Sequence, residues 1–210
     1  FLELSVQPKR IVFVSSLRRY GGGERWMLDT ASGLRARGHD ARLVARPGSV
    51  LATRAPARGI PLTELDMRGD VDPIAVATLT ALIRRFQPHV MVPNLDREIR
   101  LVAAARRASR AFGQRSVKPR LIPRRGSEFP LKNKRHYRIV YTADVDCVIV
   151  NSEATKRTMM RDAPWFPDTK AVVIYNGIDV SPYEALAARR DDVRAKLRAL
   201  IGAPADAPAV

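Results

Sequence analysis

RIVFVSSLRRYGGGE, from Arg10 to Glu24, joins an apolar β-branched run to two serines, a basic pair and three consecutive glycines. The run Ile11 to Val14 predicts a buried strand, and a helical pattern from Glu24 to Arg37 follows at once. Strand, glycine turn and helix form the first half of a βαβ unit, with the loop at the carboxyl end of the strand. In open parallel sheets ligands bind along that edge. Glycine lets backbone N–H groups approach an anion closely, and a helix N-terminus adds partial positive charge. Gly21, Gly22 and Gly23 are therefore predicted to face a phosphate or sugar phosphate, with turn geometry alone as the competing explanation. The dinucleotide fingerprint fails, because its third position after Gly21 and Gly23 is Trp26, and no Lys-Ser/Thr follows to make a P-loop.

Outward from this unit, strand-like runs recur with helices between them. Ala41 to Ala45, Leu62 to Asp66, His89 to Pro93, Arg120 to Pro123, Cys147 to Val150 and Ala171 to Tyr175 read as strands. The first helix should bury Trp26, Thr30 and Leu34 beside Met27 and Ala31, and end at Gly38 in a left-handed cap. Asp72 and Pro73 predict an N-cap and first turn for a helix reaching about Phe86. Further helices are expected over Arg97 to Phe112, Lys134 to Ala143, Glu153 to Arg161 (capped by Asn151 and Ser152) and Tyr183 to Leu200. The alternation predicts an α/β, Rossmann-like, doubly wound parallel sheet with helices on both faces.

The 210 residues carry 37 Lys and Arg against 21 Asp and Glu, a formal charge of +16. From Arg97 to Arg138 there are 14 basic residues and two acids, Glu98 and Glu128, so most of the excess sits in this segment. Such a concentration attracts nucleic acid, anionic lipid or phosphorylated substrates. The single cysteine, Cys147, lies in an apolar run and reads as a structural thiol suited to a reducing compartment. No apolar run reaches the roughly 18 residues of a membrane span. A cytoplasmic location is expected, peripheral on the inner face of a membrane if the basic segment binds lipid. The chain begins at Phe1 and stops after PADAPAV, and both ends are expected to be cuts in something longer.

Three blocks carry a family resemblance: RIVFVSSLRRYGGGERWMLDTASGLRARGHDARLV from Arg10, DCVIVNSEATKRTM from Asp146, and AVVIYNGID from Ala171. Together, in this order, they resemble the family-4 group of retaining glycosyltransferases with the GT-B fold. The resemblance implies two Rossmann-like domains, of which this chain matches the first. Residues 1–180 would form the acceptor-binding domain, and 181–210 a linker and helix leading to a C-terminal donor domain. The implied reaction transfers a hexose-type sugar from a UDP- or GDP-sugar to a hydroxyl of a saccharide or lipid-linked acceptor. Surface polysaccharide, lipopolysaccharide or glycolipid synthesis is the implied setting. Such enzymes generally work without a metal or other cofactor. The catalytic groups stay unassigned, and the isolated half is expected to be inactive.

The resemblance places Gly21, Gly22 and Gly23 at the interdomain cleft, facing donor and acceptor phosphates. Arg18 and Arg19 either add charge there or are simply solvated, while Glu24 reads as a first-turn carboxylate favoured by the helix dipole. Relatives often carry histidine after the fourth and fifth strands. This chain has Asn94 and Asp96 after the fourth, and Arg124, Arg125, Ser127 and Glu128 after the fifth, which suggests an anionic acceptor. Asp96 either binds a sugar hydroxyl or caps the following helix, with the cap preferred. Asn151, Ser152, Glu153, Asn176 and Gly177 fall at the implied cleft.

Two DVD triplets, at Asp70 and Asp144, invite a metal reading, but Asp72 has a ready role as an N-cap and Asp146 lies at a strand start. His39, His89 and His136 do not assemble into a metal site by spacing. The helix from Arg97 reads as amphipathic with Arg100, Arg106, Arg107 and Arg110 at its border. It suits either an anionic bilayer surface or arginines that snorkel over the core. Sparse aromatics among these arginines argue against nucleic acid. A non-catalytic domain binding an anionic ligand, whether sugar phosphate or nucleic acid, is the alternative to the transferase.

Overall fold

A computed structural model describes residues 7–111, 118–126, 129–187 and 189–204. The chain divides into two compact units, residues 1–175 and 176–210, somewhat before the boundary expected at 180.

In the first unit the elements alternate as β1 (Arg10–Ser15), α1 (Gly22–Ala36), β2 (Asp40–Ala45), α2 (Val50–Ala57), β3 (Leu62–Glu64), α3 (Pro73–Phe86), β4 (Val90–Pro93) and α4 (Asp96–Ala111). Then follow β5 (Arg120–Leu121), β6 (Arg124–Arg125), α5 (Arg135–Ile139) with a π-helical turn Val140–Asp144, β7 (Val148–Val150), α6 (Glu153–Met160) and β8 (Ala171–Val173). Every strand pairing is parallel. The orders are β3-β2-β1-β4-β5 and β6-β7-β8. The expected fifth strand is thus split at Ile122-Pro123, because proline has no N–H to give a ladder. Its carbonyls still bridge the two pieces: Asp146 N–H bonds Leu121 O at 3.0 Å and Ile149 N–H bonds Pro123 O at 2.9 Å.

Period-two alternation along β1 explains why helices cover both faces. Val12 and Val14 point into a core with Leu79, Ile83, Met91, Val102 and Tyr141. Ile11 and Phe13 point into another with Met27, Leu28, Leu43 and Leu51. The buried stripe of α1 is Met27, Leu28 and Ala31, so Trp26 and Leu34 lie at its margin rather than its centre. Gly38 takes the predicted left-handed conformation at φ 82°. Asp72 caps α3 as predicted, accepting the Ala75 N–H at 3.0 Å.

Helix α2 was not expected. It is short, and Pro56 in its last turn hides its pattern, but Ser49 caps its start by accepting the Ala52 N–H at 3.2 Å. In the second unit the single helix expected over Tyr183 to Leu200 is two, α7 (Ser181–Ala187) and α8 (Arg190–Ile201), because Arg189 leaves helical geometry at φ −117°, ψ 24°.

Candidate functional site

Strand β1 pairs with β2 on one side and β4 on the other, so the chain reverses direction across the sheet there. The loops β1–α1 and β4–α4 diverge from this point at the carboxyl edge, where open parallel sheets form a ligand crevice. Gly21 and Gly22 are exposed and Gly23 half-buried, at the N-terminus of a fifteen-residue helix. The Gly21 N–H is already used: it bonds Glu24 Oε2 at 3.1 Å. The N–H groups of Gly22 and Gly23 are the first two of α1 and have no carbonyl one turn earlier to bond.

The same two loops hold two buried carboxylates, Glu24 and Glu98, that the sequence did not place in the site. Glu24 is 3% exposed; its Oε1 accepts Asn94 Nδ2 at 2.9 Å and Ser15 Oγ at 3.4 Å. Glu98 is fully buried; its Oε1 accepts the Ser16 N–H at 2.7 Å, and its Oε2 accepts the Leu95 N–H. Burial pushes the Glu98 carboxyl up to about 7, against the opposing pull of its bonds to Ser16 and Leu95. A sequence signal existed for each. Glu24 stands three residues after Gly21, the spacing of a capping box. Glu98 sits on the apolar face of α4 with Leu101, Val102 and Ala105, where an acid needs a partner.

Asn94 fits against Gly23 only because glycine has no side chain: a Cβ there would lie 3.1 Å from Asn94 Nδ2 and 3.2 Å from its Oδ1. At Gly22 a Cβ would meet nothing within 4 Å. Gly22→Ala is therefore expected to stabilise the domain by about 0.4–1 kcal/mol through the unfolded chain. Gly23→Ala should instead lose about 1–2 kcal/mol, because displacing Asn94 leaves Glu24 short of a donor. Urea midpoints of the two variants check this, and equal behaviour would sink it.

The remaining predicted residues divide by their contacts. Arg18 and Arg19 are exposed and make no ion pair among the described residues. Arg124 is buried, its guanidinium 5.1 Å above the Trp26 ring. Burial lowers its pKa, and the Glu24 charge opposes that shift. Asp96 is not a cap. It is the first residue of α4, and its Oδ1 accepts Arg125 Nη1 at 3.0 Å and the Tyr141 hydroxyl at 2.8 Å. Arg125 also donates to Tyr141 Oη at 3.0 Å and to Phe129 O at 3.2 Å, so it is largely consumed inside the protein. Burial holds the Tyr141 phenol protonated, far above its ordinary range. Ser127 and Glu128 lie outside the described residues.

Asn151 and Ser152 stand at the end of β7 but are engaged in capping α6: Ser152 Oγ accepts the Thr155 N–H at 3.0 Å, and Asn151 Oδ1 accepts Thr155 Oγ1 at 2.7 Å. Glu153 is exposed in the first turn of that helix. Asn176 and Gly177 open the second unit, where both are exposed.

The basic segment is paired inward far more than expected. Arg100 bonds Asp70 at 2.6 Å, and Arg97 lies 3.7 Å from the same carboxylate. Arg106, predicted at the helix border, is 3% exposed and reaches Asp146 at 2.9 Å and Asp144 at 3.6 Å. Arg107 pairs with Asp144, and Arg120 with Asp146 at 3.0 Å. The DVD triplets thus supply the counter-ions of α4. Desolvation would raise the Asp146 pKa, but the Leu121 N–H and these arginines hold it low. Exposed cations remain at Arg110, Lys118, Lys132, Lys134, Arg135 and Arg138, the last four lying in the sequence between exposed Phe129 and Ile139.

Among the described residues no group of three His, Cys, Asp or Glu could hold a metal ion, and no helix is long and apolar enough to cross a membrane. His39 and His89 accept the N–H groups of Lys9 and Arg10, at 3.1 and 2.9 Å. Cys147 is half-buried, and burial raises its thiol pKa, which suits an inert role.

The model of Glycosyltransferase Family 4 matches residues 20–182. No curated protein matches the chain significantly. Among solved structures, a glycosyltransferase from Rickettsia africae superposes with a TM-score of 0.75 at 16% identity, covering 97% of this chain and 52% of that one. HepE of Anabaena, solved with UDP-glucose, gives 0.66 at 19% identity, covering 92% and 50%. The lipopolysaccharide outer core galactosyltransferase WaaB, in its apo form, gives 0.56 at 13%, covering 82% and 47%. The chain spans about half the length of these structures.

Proposed function

Since this chain belongs to glycosyltransferase family 4 and has the Rossmann-like fold of GT-B enzymes, we propose that it is the acceptor-binding part of a retaining nucleotide-sugar transferase. The observation that carries the reading is the switch point at the carboxyl edge of the sheet, where β1 pairs with β2 on one side and β4 on the other. There, the Gly22 and Gly23 N–H groups stand at the N-terminus of α1, and Asn94 of the β4–α4 loop packs against Gly23. Those N–H groups and the helix dipole would steady the diphosphate of a UDP- or GDP-sugar without a bound metal or other cofactor. Asn94 would bind a hydroxyl of the saccharide or lipid-linked acceptor. Arg18 and Arg19, just before the glycines and without an ion pair among the described residues, would add positive potential. The groups that act at the anomeric carbon would come from outside this chain, so the chain alone would be inactive.

The setting we propose is surface polysaccharide, lipopolysaccharide or glycolipid synthesis, at the cytoplasmic face of a membrane. Lys132, Lys134, Arg135 and Arg138, exposed in the same stretch of chain as exposed Phe129 and Ile139, support contact with anionic lipid, since cations alternating with exposed apolar side chains suit a headgroup layer. One experiment tests both readings. The complete gene product is incubated with a panel of UDP- and GDP-sugars, with and without phosphatidylglycerol vesicles, and nucleotide release and sedimentation are followed. Slow hydrolysis of one donor, with sedimentation at low salt, is expected. Silence across the panel would favour a non-catalytic binding domain, and protein left in the supernatant would remove the membrane contact.

A further inference from the structure

We propose that Glu24 and Glu98 form a reciprocal clasp that locks the β1–α1 and β4–α4 loops together and fixes which atom of Asn94 faces a ligand. Its effect on turnover rests on the transferase reading above; the clasp itself does not.

Each carboxylate comes from the first turn of the helix after one loop and reaches into the other. Glu24, on α1, takes Gly21 N–H at 3.1 Å from its own loop and Asn94 Nδ2 at 2.9 Å from the opposite one. Glu98, on α4, takes the Leu95 N–H from its own loop and the Ser16 N–H, at 2.7 Å, from the opposite one. Both side chains are buried, at 3% and 0% exposure. A buried carboxylate is costly unless its oxygens are satisfied, and an apolar residue would serve packing more cheaply. Two such groups crossing between the same two loops, under the ligand edge of the sheet, are better explained by order at that edge.

Asn94 shows what the order achieves. An amide beside a carboxylate must turn its NH2 towards it, so Nδ2 faces Glu24 and Oδ1 is left as an acceptor. Gly23 leaves the room for that orientation. The crevice thereby offers a fixed oxygen that selects a hydroxyl donor. Glu24 and Glu98 are positioning residues, and Asn94 is the group they position.

The test uses the complete gene product and follows amide exchange at Ser16, Gly21 and Leu95 together with steady-state donor turnover. Glu24→Leu, which removes both acceptor oxygens, should speed exchange at Gly21, and Glu98→Gln, which keeps only one, at Ser16 or Leu95, by about tenfold or more, the effect of one lost hydrogen bond. Each should lower kcat/KM for turnover of the donor by at least about tenfold. The exchanged pair Glu24→Gln/Asn94→Asp rebuilds an amide–carboxylate contact with its direction reversed. It should restore protection at Gly21 and recover much of the lost kcat/KM, which a merely structural role would not require. Unchanged exchange in the single variants would overturn the clasp, as would an exchanged pair worse than either single change. Faster exchange with unchanged kinetics would overturn the positioning role. If the wild type turns over no nucleotide sugar, the transferase reading fails while exchange still judges the clasp. Should Glu98→Gln fail to fold, the Glu24 variants decide.

Discussion

Arg106→Ala is expected to lower the stability of the domain by about 3–5 kcal/mol, the range for removing one partner of a buried ion pair. The guanidinium is 3% exposed and joins three parts of the chain to α4. Nη1 donates to Pro119 O at 3.2 Å, just before β5, and to Asp146 Oδ2 at 2.9 Å, just before β7. Nη2 donates to the Asp144 carbonyl at the end of the π-helical turn. Truncation leaves buried carbonyls without donors and opens a cavity. The two carboxylates keep Arg107 and Arg120, but those side chains are 56% and 71% exposed and contribute less. Arg106→Lys should recover less than half of the loss, because one ammonium cannot imitate a planar fork. Arg110→Ala, at an exposed position of the same helix, should stay within about 0.5 kcal/mol of wild type. Urea denaturation measures all three. A loss below about 1 kcal/mol in Arg106→Ala would show that the network is dispensable.

That network also marks where sequence reading stopped. The fold was legible because β1 and β4 are apolar on both faces, which a sheet covered by helices on each side explains. The glycine loop was legible because strand, glycines and helix follow one another without interruption. Partners far apart in sequence were not. Arg106 and Asp144 are 38 positions apart, and nothing local to α4 announces that its arginines turn inward. A charge count treats those arginines as surface charge, whereas the tertiary fold brings Asp70, Asp144 and Asp146 to meet them. Asp96 misled for a related reason. Its position favours a cap, but Arg125 and Tyr141, brought close by β6 and the π-helical turn, take its carboxylate instead. Glu98 was visible as an acid on an apolar helical face, yet its partner Ser16 is 82 positions away.

Glu98 should also make stability depend on pH in an unusual direction. Its folded carboxyl is raised from an ordinary 4.5 to about 7, chiefly by burial. The folded state therefore holds the proton more tightly than the unfolded chain does. For an acid shifted this way the contribution to stability is fully present below about pH 4.5 and is lost as pH rises through about 7. The shift corresponds to about 3 kcal/mol. Other groups act in the opposite sense. Asp40, Asp70, Asp72 and Asp146 have lowered pKa values, so their contributions disappear only in more acid solution. His89 is also lowered, by burial and by Arg10 and Lys9, and adds stability as pH rises towards 6.5. The sum of these effects hides Glu98, so the informative quantity is the difference between wild type and Glu98→Gln. Unfolding free energies of both proteins at pH 4.5, 6, 7 and 8 give that difference. Wild type should lose about 3 kcal/mol relative to the variant across this range, with the steepest fall below about 7. A difference independent of pH would mean that folding leaves the Glu98 pKa at its ordinary value. The two N–H groups would then be held equally from pH 6 to 8. If the fall occurs, the protonated carboxyl presents an O–H where one N–H donor had been accepted, and the loops at the crevice are held less firmly in acid than above neutrality.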